Sequence, residues 1–291
     1  MTPAAAAAYA AFGLLVGAYG TLVGAGGGFL VVAGATGMAG AAYLASKGAL
    51  RAGAGLVTCA CPETIWPSLS AKFICVMTAP LPATPEGGLA AAGLPRLRER
   101  LREASALCLG PGLGRATDTV QLVRTLLQEV KIPTVIDADG LMALGGRLDA
   151  LAALKGLAVL TPHPGEMAAL TGSTVSEVQA DRKGAAKRLA ERLGVVVVLK
   201  GHGTIVTDGR RVAVNDTGNP GMATAGAGDV LAGAVAGLLA QGMAPFEAAY
   251  LGVHLHGLAG DLAAVDLGLH GLIATDILEA LPRAFRKHAA R

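Results

Sequence analysis

The chain is short of charge and almost without aromatic rings. Asp, Glu, Lys and Arg together make up 15% of its 291 residues, and Phe, Tyr and Trp only 3%. That scarcity argues against an aromatic-lined cleft and against the stacking platforms that hold single-stranded nucleic acid. A formal net charge of +3 is too small to attract a nucleic-acid partner, and no basic run is interleaved with rings. The cationic clusters at Arg96 to Arg102 and Arg283 to Arg291 read as solvated helix faces. Four cysteines, Cys59, Cys61, Cys75 and Cys108, form no C-x-x-C pair, and no histidine stands at ligand spacing from them, which argues against zinc. Cys59 and Cys61 alternate as strand residues do, and reduced thiols make the cytoplasm the expected compartment.

What the chain has in quantity is glycine, 42 residues, and hydrophobic side chains, 53% of the total. This composition supplies a large core closed by tight loops and close helix–sheet packing. The length fits one large α/β domain or two small ones. The first charged residue is Lys47, and the run from Ala4 to Val32 is long enough to span a bilayer. It lacks the basic start of a signal peptide, and Gly13, Gly17, Gly20 and Gly24 fall at the spacing of packed membrane helices. Phe12 to Leu30 resembles the opening helix and G-A-G-G-G-F turn of sulfite-exporter-type permeases, yet no second charge-free span of this length follows. Residues 1–28 are therefore set apart as an apolar Gly/Ala-rich leader: a membrane segment, a fused fragment, or a helix packed on the domain. Membrane association through it is the less favoured reading. Residues 29–291 are expected to form the folded domain.

From Phe29 onward short apolar runs alternate with helical patterns. Strands are expected at 29–32, 56–60, 73–77, 106–109, 134–136, 157–160 and 195–199, with a hairpin of 204–207 and 212–214 around Asp208-Gly209. Helices are expected at 41–51, 95–104, 117–130, 175–193 and 230–239, and over 246–287 with a break at 266–271. Val-, Ile- and Leu-rich strands alternating with helices predict a three-layer α/β/α fold around a mostly parallel sheet. Gly, Pro or charged residues stand directly after the strands, at 34–40, 110–114, 161–167 and 200–204. In open α/β sheets ligands bind at those carboxyl ends, so these turns should line one crevice.

The chain is organised around Asn219 to Gly233. Turn residues and a run of Ala and Gly lead to one carboxylate, Asp229, and then to a buried helix. A Gly-rich loop feeding a helix N-terminus offers unpaired N–H groups and a positive dipole end, a site for phosphate. A carboxylate at that mouth suits a base for a hydroxyl attacking phosphorus. The plainer reading is a Gly-rich helix cap with Asp229 in its first turn.

The motifs AGATGMAGAA (33–42), RAGAGLVT (51–58), GPGLG (110–114), IDADGL (136–141), TPHPGEMAAL (161–170), VVLKGHGT (197–204) and GNPGMATAGAGDVLAG (218–233) decide between these. Together, and in this order, they resemble the carbohydrate-kinase-like NAD(P)H-hydrate dehydratases, with their ribokinase-like fold. The resemblance implies ADP-dependent dehydration of hydrated NADH or NADPH: the ring hydroxyl is phosphorylated, and phosphate leaves with a ring proton. It implies Mg2+, an adenine nucleotide (ADP, with ATP as the alternative donor), and a homo-oligomer, a tetramer in the first instance. Asp229 matches the catalytic aspartate, and Ala225, Gly226, Ala227 and Gly228 the anion hole, Gly228 also touching nucleotide. Lys200, Gly201, His202, Gly203 and Thr204 match the nucleotide-binding segment. Ala41, Gly114, His163 and Asp229 match contacts to the hydrated dinucleotide. Glu166 and Asn219 are the candidates near the phosphates and metal.

Each position also has a plainer reading. Lys200 could be a solvated strand end, His163 could cap a turn, and Asp137-Ala-Asp-Gly140 is an ordinary turn sequence taken as lying behind the site. His202 as a side chain, His254, His256 and His270 show no partner pattern. Ala225 stands where relatives carry glycine, and is expected to put a methyl where the backbone needs positive φ, at about 1 kcal/mol. Ala227 forfeits a hydroxyl common at that place. Two other functions share these residues: an ATP-dependent kinase of a vitamin-precursor alcohol, and a non-catalytic membrane-associated domain.

Overall fold

The computed structural model describes residues 28–290. The leader lies outside the described residues except for Gly28, which already pairs in the first strand. Among the described residues nine strands form one sheet: β1 (Gly28–Val32), β2 (Val57–Pro62), β3 (Met77–Leu81), β4 (Ala104–Leu109), β5 (Thr134–Ile136), β6 (Ala158–Leu160), β7 (Val196–Leu199), β8 (Ile205–Thr207) and β9 (Val212–Val214). Their order is β3-β2-β1-β4-β5-β6-β7-β8-β9. Strands β1 to β7 run parallel, and β8 and β9 are added antiparallel as the expected hairpin. The helices are α1 (Ala39–Arg51), α2 (Trp66–Lys72), α3 (Leu94–Arg102), α4 (Thr117–Glu129), α5 (Asp139–Ala143), α6 (Pro164–Thr171), α7 (Val175–Ala180), α8 (Arg182–Leu193), α9 (Ala227–Ala240), α10 (Pro245–Leu267) and α11 (Ala274–Ala289).

Side chains alternate across the sheet as the pleat requires. Leu30, Val32, Leu107, Leu109 and Leu160 face α3, α4, α6 and α8, whereas Phe29, Val31, Ala106, Cys108 and Val159 face α1, α2, α9 and α10. The three-layer architecture is therefore as expected. A further layer lies outside it, where α11 packs on α1, α9 and α10 through Ile277, Leu278, Leu281 and Ala284.

Small residues fix the close approach of α1 and α9. A Cβ on Gly48 would stand 2.7 Å from the Val230 carbonyl, and one on Gly237 would stand 2.7 Å from the Ala49 carbonyl. Gly233 meets the Ala45 carbonyl in the same way. This seam seats the N-terminus of α9 at the carboxyl ends of the central strands.

Two expectations are corrected. The strand expected at 73–77 is displaced: Phe73 closes α2, Ile74 is 96% exposed, and the strand begins only at Met77 and runs to Leu81. Its Pro80 is tolerated because β3 is an edge strand and need not donate outward. The single helix expected at 175–193 is two, α7 and α8, broken at Asp181, whose carboxylate caps the second by accepting from the Gly184 N–H.

Candidate active site

The anion loop begins at Asn219, whose side chain caps the short 3-10 turn Pro220–Met222 by accepting from the Gly221 N–H at 3.1 Å. Its amide donates to Asp261 at 3.0 Å, and the Gly218 N–H donates to the same carboxylate at 2.9 Å. The loop then reaches α9 through Gly226, the N-cap residue, at φ 88°. The positive φ therefore falls on Gly226 and not on Ala225, so the methyl of Ala225 carries no backbone strain; Ala138 is the non-glycine residue with positive φ among the described residues. Glycine is required at 226 for a second reason, since a Cβ there would run into Leu44 and stand 3.1 Å from Ala274 Cβ. Beyond it, the first-turn N–H groups of α9, those of Gly228 and Asp229 among them, have no partner within the helix.

Asp229 leaves this first turn with no hydrogen bond or ion pair to another of the described residues. Burial chiefly, then the charge of Asp137, with smaller contributions from Glu166 and Asp139, raises its pKa from 3.8 to about 7, against the pull of Lys200. It is thus a carboxylate poised to take a proton near neutrality.

Lys200 ends β7 and sends its ammonium inward. Its Nζ donates to Asp137 Oδ1 at 2.7 Å and lies 3.7 Å from Glu166 Oε2. Only 18% of its side chain is exposed and 1% of that of Asp137, so this is a buried pair and not a solvated strand end. Burial disfavours the ammonium, but Asp137 and Glu166 outweigh it and hold the pKa of Lys200 above its ordinary value. A Cβ on Gly228 would stand 3.3 Å from that Nζ. The loop and the lysine therefore lie side by side, and a methyl at residue 228 would need the ammonium to give by a few tenths of an ångström.

His163 caps α6. Its Nδ1 accepts from the N–H groups of Gly165 at 3.0 Å and Glu166 at 3.2 Å, while Glu166 Oε2 accepts from the His163 N–H at 2.8 Å, a reciprocal capping box. An accepting Nδ1 assigns the proton to Nε2, on a ring whose side chain is 56% exposed. The cap reading and the ligand reading are thus both available to this residue. Gly114, at φ 74°, donates its N–H to Asp139 Oδ2 at 2.9 Å. It adjoins the first Gly-rich turn, since the Gly34 N–H donates to the Pro111 carbonyl and a Cβ on Gly112 would stand 2.8 Å from Ala41 Cβ. Ala41 and the 110–114 turn accordingly form one wall. In the 200–204 segment, Gly201 (φ 138°) and Gly203 (φ 62°) bend the chain, and Thr204 Oγ1 donates to the Gly201 carbonyl at 2.9 Å. The His202 side chain is exposed.

Two residues matter more than the sequence indicated. Asp137 holds Lys200, and its neighbour Asp139 holds Gly114, so the 137–140 turn joins the two walls. The buried His256 brings its Nε2 within 2.9 Å of the Ala227 carbonyl, at the first residue of α9. Burial lowers its pKa to about 4, so it is neutral and holds that carbonyl by an N–H.

A mostly parallel sheet covered on both faces, with a buried carboxylate at a helix N-terminus and a lysine at a strand end beside its Gly-rich turns, fits a ribokinase-like domain. A solved ribokinase-like superfamily protein from Enterococcus faecalis superposes with a TM-score of 0.78 at 27% identity, over 91% of this chain and 89% of that one. The family model for NAD(P)H-hydrate dehydratase matches residues 29–283, and the chain belongs to that family. It is 48% identical over 262 residues to the bifunctional NAD(P)H-hydrate repair enzyme Nnr of Moorella thermoacetica, 89% of this chain but 49% of the relative. The chain thus spans about half the length of the curated relatives it matches. The ADP/ATP-dependent NAD(P)H-hydrate dehydratase of Bacillus subtilis, crystallised with ATP and Mg2+, superposes with a TM-score of 0.73 at 29% identity, covering 91% of each chain.

Proposed function

We propose that this chain dehydrates NAD(P)H-hydrate back to NAD(P)H at the expense of ADP. The observation that carries the reading is the Asp229 carboxylate, free of partners among the described residues and raised to about pKa 7, at the mouth of the α9 N-terminus. Asp229 accepts the proton of the ring hydroxyl as its oxygen bonds to the terminal phosphorus of ADP. AMP leaves, and the N–H groups of the 225–228 loop with the Lys200 ammonium hold the charge on the transferred group. Hydroxide is a poor leaving group and phosphate a good one. The phosphate ester therefore expels phosphate, which carries away a proton from the adjacent ring carbon, and the reduced nicotinamide is restored.

Lys200 to Thr204 supply the nucleotide side, and Ala41, Gly114 and His163 the dinucleotide side. Mg2+, when bound with the nucleotide, would neutralise charge on its phosphates, with Glu166 the candidate carboxylate of this chain. Among the described residues no group of three or more His, Cys, Asp or Glu forms a metal cluster. Glu166 Oε2 lies 3.7 Å from the Lys200 ammonium, farther than Asp137 at 2.7 Å, whereas the Asn219 oxygen is already engaged by the Gly221 N–H. Association into a homo-oligomer is part of the same proposal. Among the described residues no helix is long and apolar enough to cross a membrane.

The test is recovery of the reduced-nicotinamide absorbance band when purified protein meets the hydrate and Mg2+ with ADP, with ATP, or with no nucleotide. Recovery only with nucleotide supports the reading and names the donor. A phosphorylated product without recovery of the band would instead make the chain a kinase.

A further inference from the structure

Arg182 is placed at apparent cost. It opens α8, where a cation opposes the helix dipole. Burial lowers its pKa, and among the described residues no carboxylate lies within ion-pair distance of it. The adjacent Asp181 is turned away, accepting from the Gly184 N–H at 2.9 Å and from Arg188 at 3.0 Å. What the guanidinium does instead is donate through Nη2 to two successive carbonyls, Leu199 at 3.2 Å and Lys200 at 3.3 Å, with Nη1 on Gln179 Oε1 at 3.0 Å.

Successive carbonyls of a regular strand point to opposite sides. For both to reach one nitrogen, the chain must curl at the end of β7, and it does so at Gly201, φ 138°, where a Cβ would stand 3.1 Å from the Arg182 nitrogens. Residue 200 is therefore held three ways. Its N–H donates to the Pro162 carbonyl at 2.9 Å, its side chain to Asp137, and its carbonyl accepts from Arg182.

We propose that Arg182 is a positioning residue for nucleotide binding: it fixes the curl from Leu199 to Gly201 that presents the 200–204 segment to an adenine nucleotide. The inference rests on the proposed function for the identity of that ligand. It places no requirement on the dinucleotide wall, which is held separately by Asp139.

The experiment measures ADP binding to the whole chain by calorimetry without hydrate, and separately the KM for each substrate. Arg182→Met keeps the length of the stem and removes every donor. It should weaken ADP at least tenfold, raise the KM for nucleotide in proportion, and leave the KM for the hydrate within twofold. Arg182→Lys, which restores a charge-bearing donor, should recover part of the loss. Wild-type ADP affinity in Arg182→Met would overturn the proposal. So would an equal rise in both KM values that Arg182→Lys does not relieve, since that marks a general structural role. Because calorimetry needs no turnover, a protein that binds ADP but never dehydrates the hydrate would sink the functional reading while leaving Arg182 testable.

Discussion

Replacing Asp229 by Asn should stabilise the protein while destroying its activity. In the unfolded chain this carboxyl loses its proton near the ordinary value of 3.8, and in the folded protein it keeps the proton to about pH 7. Between those values the unfolded state gives up a proton that the folded state still holds, so each pH unit favours unfolding by about 1.4 kcal/mol. The stability contributed by the buried neutral acid is complete below pH 3.8 and lost as pH rises to 7. Over the roughly three units separating 3.8 from 7, the loss is about 4 kcal/mol. Asn keeps the shape and never ionises, so the variant escapes it. At pH 8 its melting temperature should exceed the wild type by on the order of 10 °C, since each kcal/mol moves a domain of this size by about 2–4 °C. At pH 4 the two proteins should melt together. Melting curves across pH 4 to 8 for both proteins decide it. A variant no more stable than wild type at pH 8, or a gap that persists at pH 4, would refute a strongly raised pKa at this position.

Three further outcomes are expected. The acid limb of kcat/KM should have unit slope with a midpoint near pH 7, the value of about 7 for Asp229, and Asp137→Asn, by removing a like charge, should move that midpoint to lower pH; a pH–rate profile of each protein checks this. Gly226→Ala forces a methyl onto a residue at φ 88° and against Leu44, and should cost about 1–3 kcal/mol in denaturant unfolding, with loss of turnover. Gly48→Leu drives a side chain into the Val230 carbonyl across the α1–α9 seam. It should cost more than about 3 kcal/mol or prevent soluble expression, read by yield and melting temperature.

Much of this molecule could be read along the chain because its information is local. Each central strand is a short Val/Leu run that stops at glycine, proline or a charge, and those stops gather at the candidate site. The order of motifs from 33 to 233 carried the family, which the match to residues 29–283 bears out. The failures lie where the deciding partner is far away in sequence. Phe73 and Ile74 read as strand residues because they are apolar, yet Phe73 stacks on Tyr43 with centroids 5.6 Å apart and Ile74 points to solvent. Asp137 looked like a turn residue until Lys200, 63 positions later, supplied its partner. His256 carries no local signal at all, since its partner at Ala227 is 29 positions earlier. The positive φ at Gly226 rather than Ala225 follows from how the loop enters α9, which spacing alone does not specify.

The central claim is that Asp229 takes the hydroxyl proton while the loop before it holds the transferred phosphoryl group. It is tested most directly by giving wild type and Asp229→Asn the hydrate, Mg2+ and ADP, following the reduced-nicotinamide band, and measuring ADP affinity in parallel. Wild type should restore the band, the variant should not, and their ADP affinities should agree within a few-fold. Turnover by Asp229→Asn at the wild-type rate would contradict it.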